Sequence, residues 1–298
     1  MIANKPLSTI EGNSFTLSVQ TQGSRTPESV NILYNNETYT LSPKSPGIFE
    51  YQFFQPKKSI SFRLISENIA SSPQKLAVLL APSILNLNLY VYPPQYTNEP
   101  TIKVANSGNS TIPEGSTLKW EVFTKSTDTV VFQHNNSQSF FTKSDQQFSY
   151  SKSVSQPLRY SISTSNTDLK DYETLDYFIN VVKDEPPAIR IKMNRDTTAQ
   201  ERLYFYGQVS DDYGIRALRL HYFASESPNN ISVLKLPLTQ NNLQEFSYVF
   251  PNNLDLIEGA DYSLYFEVID NDRLHNFKST RSRTFMYKQK TETQLEAS

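Results

Sequence analysis

Six carboxylates stand where one cation could gather them. Asp184 and Glu185 precede Pro186 and Pro187, Asp211 and Asp212 precede Tyr213 and Gly214, and Asp270 and Asp272 flank Asn271. In an immunoglobulin-like sandwich the entering chain, the loop after the second strand and the loop before the last strand lie at one end, so these acids would share a neighbourhood. Calcium takes 6 to 8 oxygen ligands and tolerates irregular geometry, which is what such a set supplies. The corresponding loops earlier in the chain are poorer, with Asp128 and Asp168 in one case and Glu67 in the other. A competing reading is that Asp211 and Asp212 hydrogen-bond turn amides before Gly214 and that Asp270 to Asp272 do the same in a hairpin. A bound ion would stiffen the junction between the second and third units and raise thermal stability by mass action.

Other chemistry finds little footing. Cysteine is absent, which removes disulfides, thiolate metal sites and cysteine nucleophiles. The 8 glycines show no phosphate-binding or nucleophile-elbow spacing. His134, His221 and His275 are far apart in sequence and form no local zinc motif; His221 reads as a strand residue and the other two as loop residues. Paired carboxylates for acid–base work meet only in a fold, so an enzyme accessory domain stays open as a third reading. The 18 Tyr and 18 Phe could form a sugar-stacking platform, which makes a carbohydrate-binding module the second reading, although filling cores and covering strands accounts for them as well. Lys278, Arg281, Arg283, Lys288 and Lys290 form a mild basic run that edge-strand protection explains.

The elements that must position these residues are strands. Glu114-Gly115-Ser116-Thr117-Leu118-Lys119-Trp120-Glu121-Val122 has a copy at Glu11-Gly12-Asn13-Ser14-Phe15-Thr16-Leu17-Ser18-Val19. Each is a Glu-Gly turn followed by apolar residues at every second position, the mark of a strand with one buried face. Their spacing is about one sandwich domain. Val30–Tyr34 and Thr38–Leu41 form a hairpin around Asn35-Asn36-Glu37, and Phe49–Phe53 and Ile60–Leu64 alternate in the same way. Phe148–Tyr150 and Leu158–Ile162 repeat the latter pair. Tyr262, after Glu258-Gly259-Ala260-Asp261, is a candidate tyrosine corner. No sustained helical period occurs.

The fold class that follows is all-β, three tandem immunoglobulin/fibronectin-like β-sandwich domains. Ala81-Pro82-Ser83 and Lys183-Asp184-Glu185-Pro186-Pro187 are the expected boundaries, giving domains over 1–81, 82–183 and 184–290 and a polar tail over 291–298. Leu17 and Trp120 should occupy equivalent buried positions on the second strand of their units, with Thr16 and Lys119 facing outward. Net charge is −2, so there is no electrostatic footprint for nucleic acid and no polybasic membrane anchor. No apolar run reaches the roughly 18 residues of a membrane span. The two ends suggest a fragment of something longer.

Several phrases carry a family resemblance: Ala81-Pro82-Ser83-Ile84-Leu85, Tyr92-Pro93-Pro94-Gln95-Tyr96-Thr97, Asn106-Ser107-Gly108-Asn109 with Ile112-Pro113-Glu114-Gly115-Ser116, Val209-Ser210-Asp211-Asp212-Tyr213-Gly214-Ile215, and Tyr265-Phe266-Glu267-Val268-Ile269-Asp270-Asn271-Asp272. Together they resemble the soluble β-rich region of a family of large uncharacterised bacterial envelope proteins, a domain of unknown function. In that family, membrane helices precede tandem sandwiches and a long coiled-coil-like segment follows. The family often has Gly soon after Asp-Asn-Asp, whereas Arg273-Leu274-His275 stand here, so this loop should differ in shape. The resemblance implies a periplasmic or otherwise extracytoplasmic location and an inner-membrane anchor outside this chain. It also implies a non-enzymatic scaffold whose partners are other envelope proteins or other segments of its parent, and it carries over no catalytic residue and no cofactor.

Overall fold

Alternating apolar and polar residues become strands throughout the computed structural model, which describes every residue except 24, 25, 68, 197–201, 240, 289, 290 and 292–298. The polar tail, apart from Thr291, and Lys290 of the basic run therefore lie outside the described residues. The only helical elements among the described residues are two short 3-10 turns, Gln95–Thr97 and Arg273–His275. No helix among them is long and apolar enough to cross a membrane. The architecture is all-β, built of tandem immunoglobulin-like sandwiches.

In the first unit, Ser8–Ile10, Gln74–Leu79, Ile60–Ser66, Asn31–Tyr34 and Glu37–Thr40 form one sheet, and Phe15–Gln20, Ile48–Phe53 and Ser42–Ser45 the other. The second unit sets Ile102–Ala105, Ser83–Tyr92, Ser116–Lys125, Gln147–Val154 and Thr142–Ser144 against Ser110–Pro113, Glu173–Val182, Leu158–Ser165, Thr129–His134 and Ser137–Phe140. In the third, Ala188–Arg195, Leu203–Ser210 and Leu243–Phe250 face Ser232–Leu236, Ile215–Ala224 and Asp261–Asp270, whose far edge pairs with Ser279–Arg281 and then Phe285–Lys288. Three apolar clusters fill these sandwiches, one around Leu17 and Phe62, one around Trp120 and Ile162, and one around Phe205 and Phe266. Among the described residues no member of one cluster belongs to another, so each sandwich has its own core.

The sequence repeat is a structural one. Val19 pairs with Phe49 and Leu17 with Tyr51, as Val122 pairs with Phe148 and Trp120 with Tyr150. Ile10 lies beside Leu79 in a parallel pair, as Pro113 lies beside Val182. Leu17 and Trp120 are both fully buried. The strand count differs from expectation: Leu17 is on the second strand of its unit, but Trp120 is on the fourth, because Ser83–Tyr92, Ile102–Ala105 and Ser110–Pro113 all come first. Leu85, in phase with buried Leu87, Leu89 and Val91, is nevertheless exposed, because a β-bulge between Ile84 and Asn86 turns it out of the alternation. Tyr262 is buried, and its hydroxyl accepts the Ile257 N–H at 2.8 Å, the bond back to upstream backbone that a tyrosine corner makes.

Trp120 anchors the second core. Its Nε1 donates to the Tyr160 hydroxyl at 2.7 Å, which donates to the Gly108 carbonyl at 2.5 Å, so the indole is buried with its one polar atom satisfied. Trp120→Ala should cost about 3 to 5 kcal/mol, measured by denaturant unfolding followed by near-ultraviolet circular dichroism. Tyr160→Phe keeps the ring and strands the indole N–H, so it should cost about 1 to 3 kcal/mol. Fluorescence of this single tryptophan reports that loss for the second unit alone.

Candidate functional site

Three loops of the third unit and two of the second meet at one place. Asp184 lies in the extended link between Glu173–Val182 and Ala188–Arg195 and is only 7% exposed. Asp211 opens the turn between Leu203–Ser210 and Ile215–Ala224; its Oδ2 accepts the N–H groups of Tyr213 at 3.0 Å and Gly214 at 2.7 Å. Asp270 ends its strand with Oδ1 on the Asp272 N–H at 3.1 Å, and Asp272 caps the turn Arg273–His275 with Oδ1 on the Leu274 N–H at 2.8 Å. Both are fully buried. The chain then returns with Lys278, whose ammonium donates to Asp184 Oδ2, to the Asp184 carbonyl at 3.0 Å and to Asp272 Oδ2 at 3.1 Å, and lies 4.0 Å from Asp270 Oδ2.

Of the six acids singled out from sequence, one oxygen each of Asp184, Asp211 and Asp212 lie within 4.8 Å of one another. Asp270 and Asp272 are not in that grouping; Lys278 links both to Asp184, and Asp272 also comes up against the Asp184 carboxyl itself. Glu185 is exposed and contributes its backbone N–H to Asp212 at 3.4 Å, while its carboxylate is outside the group. The turn-amide reading accounts for one oxygen of Asp211, Asp270 and Asp272. It leaves Oδ1 of Asp211 and Oδ2 of Asp270 buried without a hydrogen bond, and Oδ1 of Asp184 and Oδ1 of Asn271 are in the same condition. Buried polar atoms normally find partners, so four unpartnered oxygens in one junction call for explanation.

The charges are unbalanced. Burial pushes the Asp184 carboxyl up to about 7, and Asp212 and Asp272 add to the rise against the pull of Lys278. Burial likewise raises Asp211 above the ordinary carboxylate range despite its two amides, and Asp270 despite Lys278. Asp272 goes the other way, because His275, Lys278 and the Leu274 N–H outweigh its burial. Lys278 stays charged: its burial is outweighed by hydrogen bonds to Asp184 and Asp272. One ammonium satisfies Asp272 and leaves the acids around it overcrowded.

The second unit supplies the facing wall. The ring of Tyr96 meets that of Tyr213 edge-on, 5.3 Å between centroids. Its hydroxyl donates to the Glu114 carbonyl at 3.1 Å, and its own carbonyl accepts Asn271 Nδ2 at 2.9 Å. Glu114 Oε1 lies 3.6 Å from His275 Nε2, while the other ring nitrogen binds Asp272. Gly115 has φ +83°, and a Cβ there would come 2.5 Å from Leu274 Cδ1. Tyr96, Asn271, Glu114 and Lys278 were not recognised as site residues from sequence. The one available signal was the Glu-Gly repeat, which places Glu114 and Glu11 at the same end of successive units.

The junction of the first and second units is built more loosely. Lys125 meets Glu11 at 3.3 Å in an exposed ion pair, and Asn166 Nδ2 donates to the Leu80 carbonyl at 2.8 Å. Between them is an open crevice of about 530 Å³ lined by Leu80, Thr124, Asp128, Lys143, Asn166 and Asp168. Gly12, with φ +85°, has nothing near where its Cβ would be.

Two further expectations are corrected. Lys278 does not guard a strand edge; buried carboxylates draw it inward. His134 ends the strand Thr129–His134 instead of lying in a loop, since Asn135, with φ 50°, supplies the turn that follows. His221 is a buried strand residue, bonded to Glu267 at 3.0 Å and stacked on Tyr265, and Arg281 and Ser279 complete the bonds to Glu267.

A protein family described as Domain of unknown function (DUF4175) matches over residues 67–254. The chain belongs to that family. In this DUF4175 chain the matched segment takes in Asp184, Asp211 and Asp212 and stops before Asp270, Asp272 and Lys278. No curated protein sequence matches it. Among solved structures it is similar to the full Ig1–Ig3 ectodomain of mouse nectin-like molecule 4, with 9% identity over 95% of this chain and 96% of that one and a TM-score of 0.39. A marsupial T cell receptor gives 10% identity, 95% and 98% coverage and a TM-score of 0.38. The fibronectin(III)-like modules of Clostridium thermocellum CbhA give 11%, 59% and 89%, with a TM-score of 0.28.

Two sets of substitutions test the junction as built. Lys278→Met removes the one ammonium bonded to Asp184 and Asp272 and should cost about 3 to 5 kcal/mol in unfolding of the third unit, with part of the loss restored in the double variant carrying Asp184→Asn. Gly12→Ala and Gly115→Ala both place a side chain at positive φ, worth about 1 to 2 kcal/mol each. Gly115→Ala should lose clearly more by thermal unfolding, because it also displaces Leu274, and Leu274→Ala should remove the excess.

Proposed function

We propose that this chain is a non-enzymatic scaffold or interaction module of a membrane-anchored bacterial envelope protein, working outside the cytoplasm. Its three sandwiches, with limits near 81/82 and 183/184, would hold and space other parts of its parent or its envelope partners. The observation that carries this reading is where the buried polar chemistry lies. The densest cluster of buried acids among the described residues is spent on fixing one sandwich against the next, walled by Tyr96, Glu114 and Leu274. A substrate site would leave those groups facing a cavity. The compartment and the anchor rest on the family resemblance.

The carbohydrate-binding reading has one feature in its favour, a groove of about 650 Å³ on the second unit lined by Asn109, Gln133, Arg159, Asp176, Tyr177 and Phe178. Arg159, however, lies over the Phe178 ring at 5.4 Å and takes the face on which a sugar would stack. The exposed aromatic residues Phe54, Tyr92, Phe140, Tyr172, Phe178 and Tyr206 are spread over all three units.

The absence of cysteine makes a direct test simple. Ser137→Cys, at a site exposed in this chain and placed in the full-length parent with any cysteines outside this chain replaced, should react with a membrane-impermeant maleimide in intact spheroplasts. Labelling only after lysis would contradict the extracytoplasmic reading. The purified chain should be silent on a glycan array; a signal lost in Phe178→Ala would replace the scaffold reading with sugar binding.

A further inference from the structure

We infer that the junction of the second and third units is a binding site for a hard divalent cation of the calcium class, with Asp184, Asp211 and Asp212 as its protein ligands and Lys278 as an internal cation beside it. The grouping of three carboxylate oxygens within 4.8 Å is the first observation. Acidic clusters alone are common, and the second observation separates this one from them. Asp184, whose side chain is 1% exposed, has Oδ2 on Lys278 and Oδ1 buried with no partner. Asp211 repeats the pattern, with Oδ2 on two turn amides and Oδ1 buried and unpartnered. Each carboxylate is thus held by one oxygen and leaves a lone-pair-bearing oxygen free inside the junction.

The donor set selects the ion. All of the donors are oxygen; His275 is occupied by Asp272 and Glu114, and the chain has no cysteine, so zinc lacks its usual ligands. Asp212 is exposed, which gives the site an open side where water completes the coordination. Calcium accepts such a mixed, irregular shell, whereas magnesium demands near-ideal octahedral geometry. Lys278 explains how the fold exists without the ion: its ammonium neutralises Asp272 and one oxygen of Asp184, on the side toward Asp270. The ion would take the charge that Lys278 leaves on Asp184, Asp211 and Asp212. Such binding would pull together the entry to the third unit and its first inter-sheet turn, where Tyr213 meets Tyr96 of the second unit.

The test uses the whole chain and three probes: calcium chloride, magnesium chloride and terbium chloride, at fixed ionic strength. Calcium should give a saturable heat in titration calorimetry and raise the melting temperature relative to chelator. Terbium should show emission sensitised through Tyr213 and displaced by calcium. Asp211→Asn and Asp212→Asn should each weaken binding about tenfold or more. Asp184→Asn should lose the rise in melting temperature on adding calcium. Asp168→Asn, at the other junction, should change nothing. An absence of calcium-dependent heat and of sensitised emission in the parent would overturn the inference and leave Lys278 as the only cation of the junction. An undiminished calcium response in the Asp211→Asn, Asp212→Asn double variant, or an equal response to magnesium at the same concentration, would also overturn it.

Discussion

A lysine ammonium among buried carboxylates is the constraint on which this arrangement depends. Asp184, Asp270 and Asp272 are all less than a tenth exposed, and ionised groups so placed are stable only with an opposite charge or donors at hydrogen-bond distance. Lys278 reaches Asp184 and Asp272 at once and so ties the link entering the third unit to the loop that leaves its strand Asp261–Asp270. That loop carries Leu274 and His275 against Gly115 and Glu114, and Asn271 against Tyr96. The angle between two sandwiches is thereby set by side chains whose own positions are fixed by charge. The first junction, with one exposed ion pair, hydrogen bonds from Asn166 to Leu80 and from Thr164 to Pro82, and a water-accessible crevice, shows no comparable group of buried charges among the described residues.

The Glu-Gly turn gains a meaning from this contrast. Both copies end the short strand that runs parallel to the last strand of the unit, and both present Glu to the following unit: Glu11 to Lys125, Glu114 to His275. Both glycines adopt a φ that L side chains rarely take. Only at Gly115 has the neighbouring unit closed in far enough to use the missing Cβ as well. The same local sequence therefore serves a loose junction and a tight one, and what differs is the loop that comes to meet it.

Much of the fold was legible because its signal has a period of two. Leu17, Trp120 and their flanking residues alternate, and a half-buried strand must place such residues on one face. Where a backbone irregularity broke the period the signal failed, as at Leu85, since nothing in the residues marks a β-bulge. The acids of the third unit were legible as three loop clusters because sandwich topology brings those loops to one end. Their division was not legible: Glu185 is exposed while its neighbour Asp184 is buried against Lys278. Lys278 looked like one of a run of surface cations, because sequence does not show that a strand edge folds back onto a buried acid. Tyr96 and Glu114 belong to another unit, and contacts across a junction leave no local pattern.

The account rests on the claim that the second and third units are held at one angle and the first two are not. Pairs of spin labels on introduced cysteines test it directly in this cysteine-free chain, with one pair at exposed Thr142 and Ser232 and another at exposed Ser42 and Thr142. Dipolar spectroscopy should give a single narrow distance distribution for the pair across the second junction and a clearly broader one for the pair across the first. Distributions of equal breadth, or a broad one for Thr142 and Ser232, would contradict it.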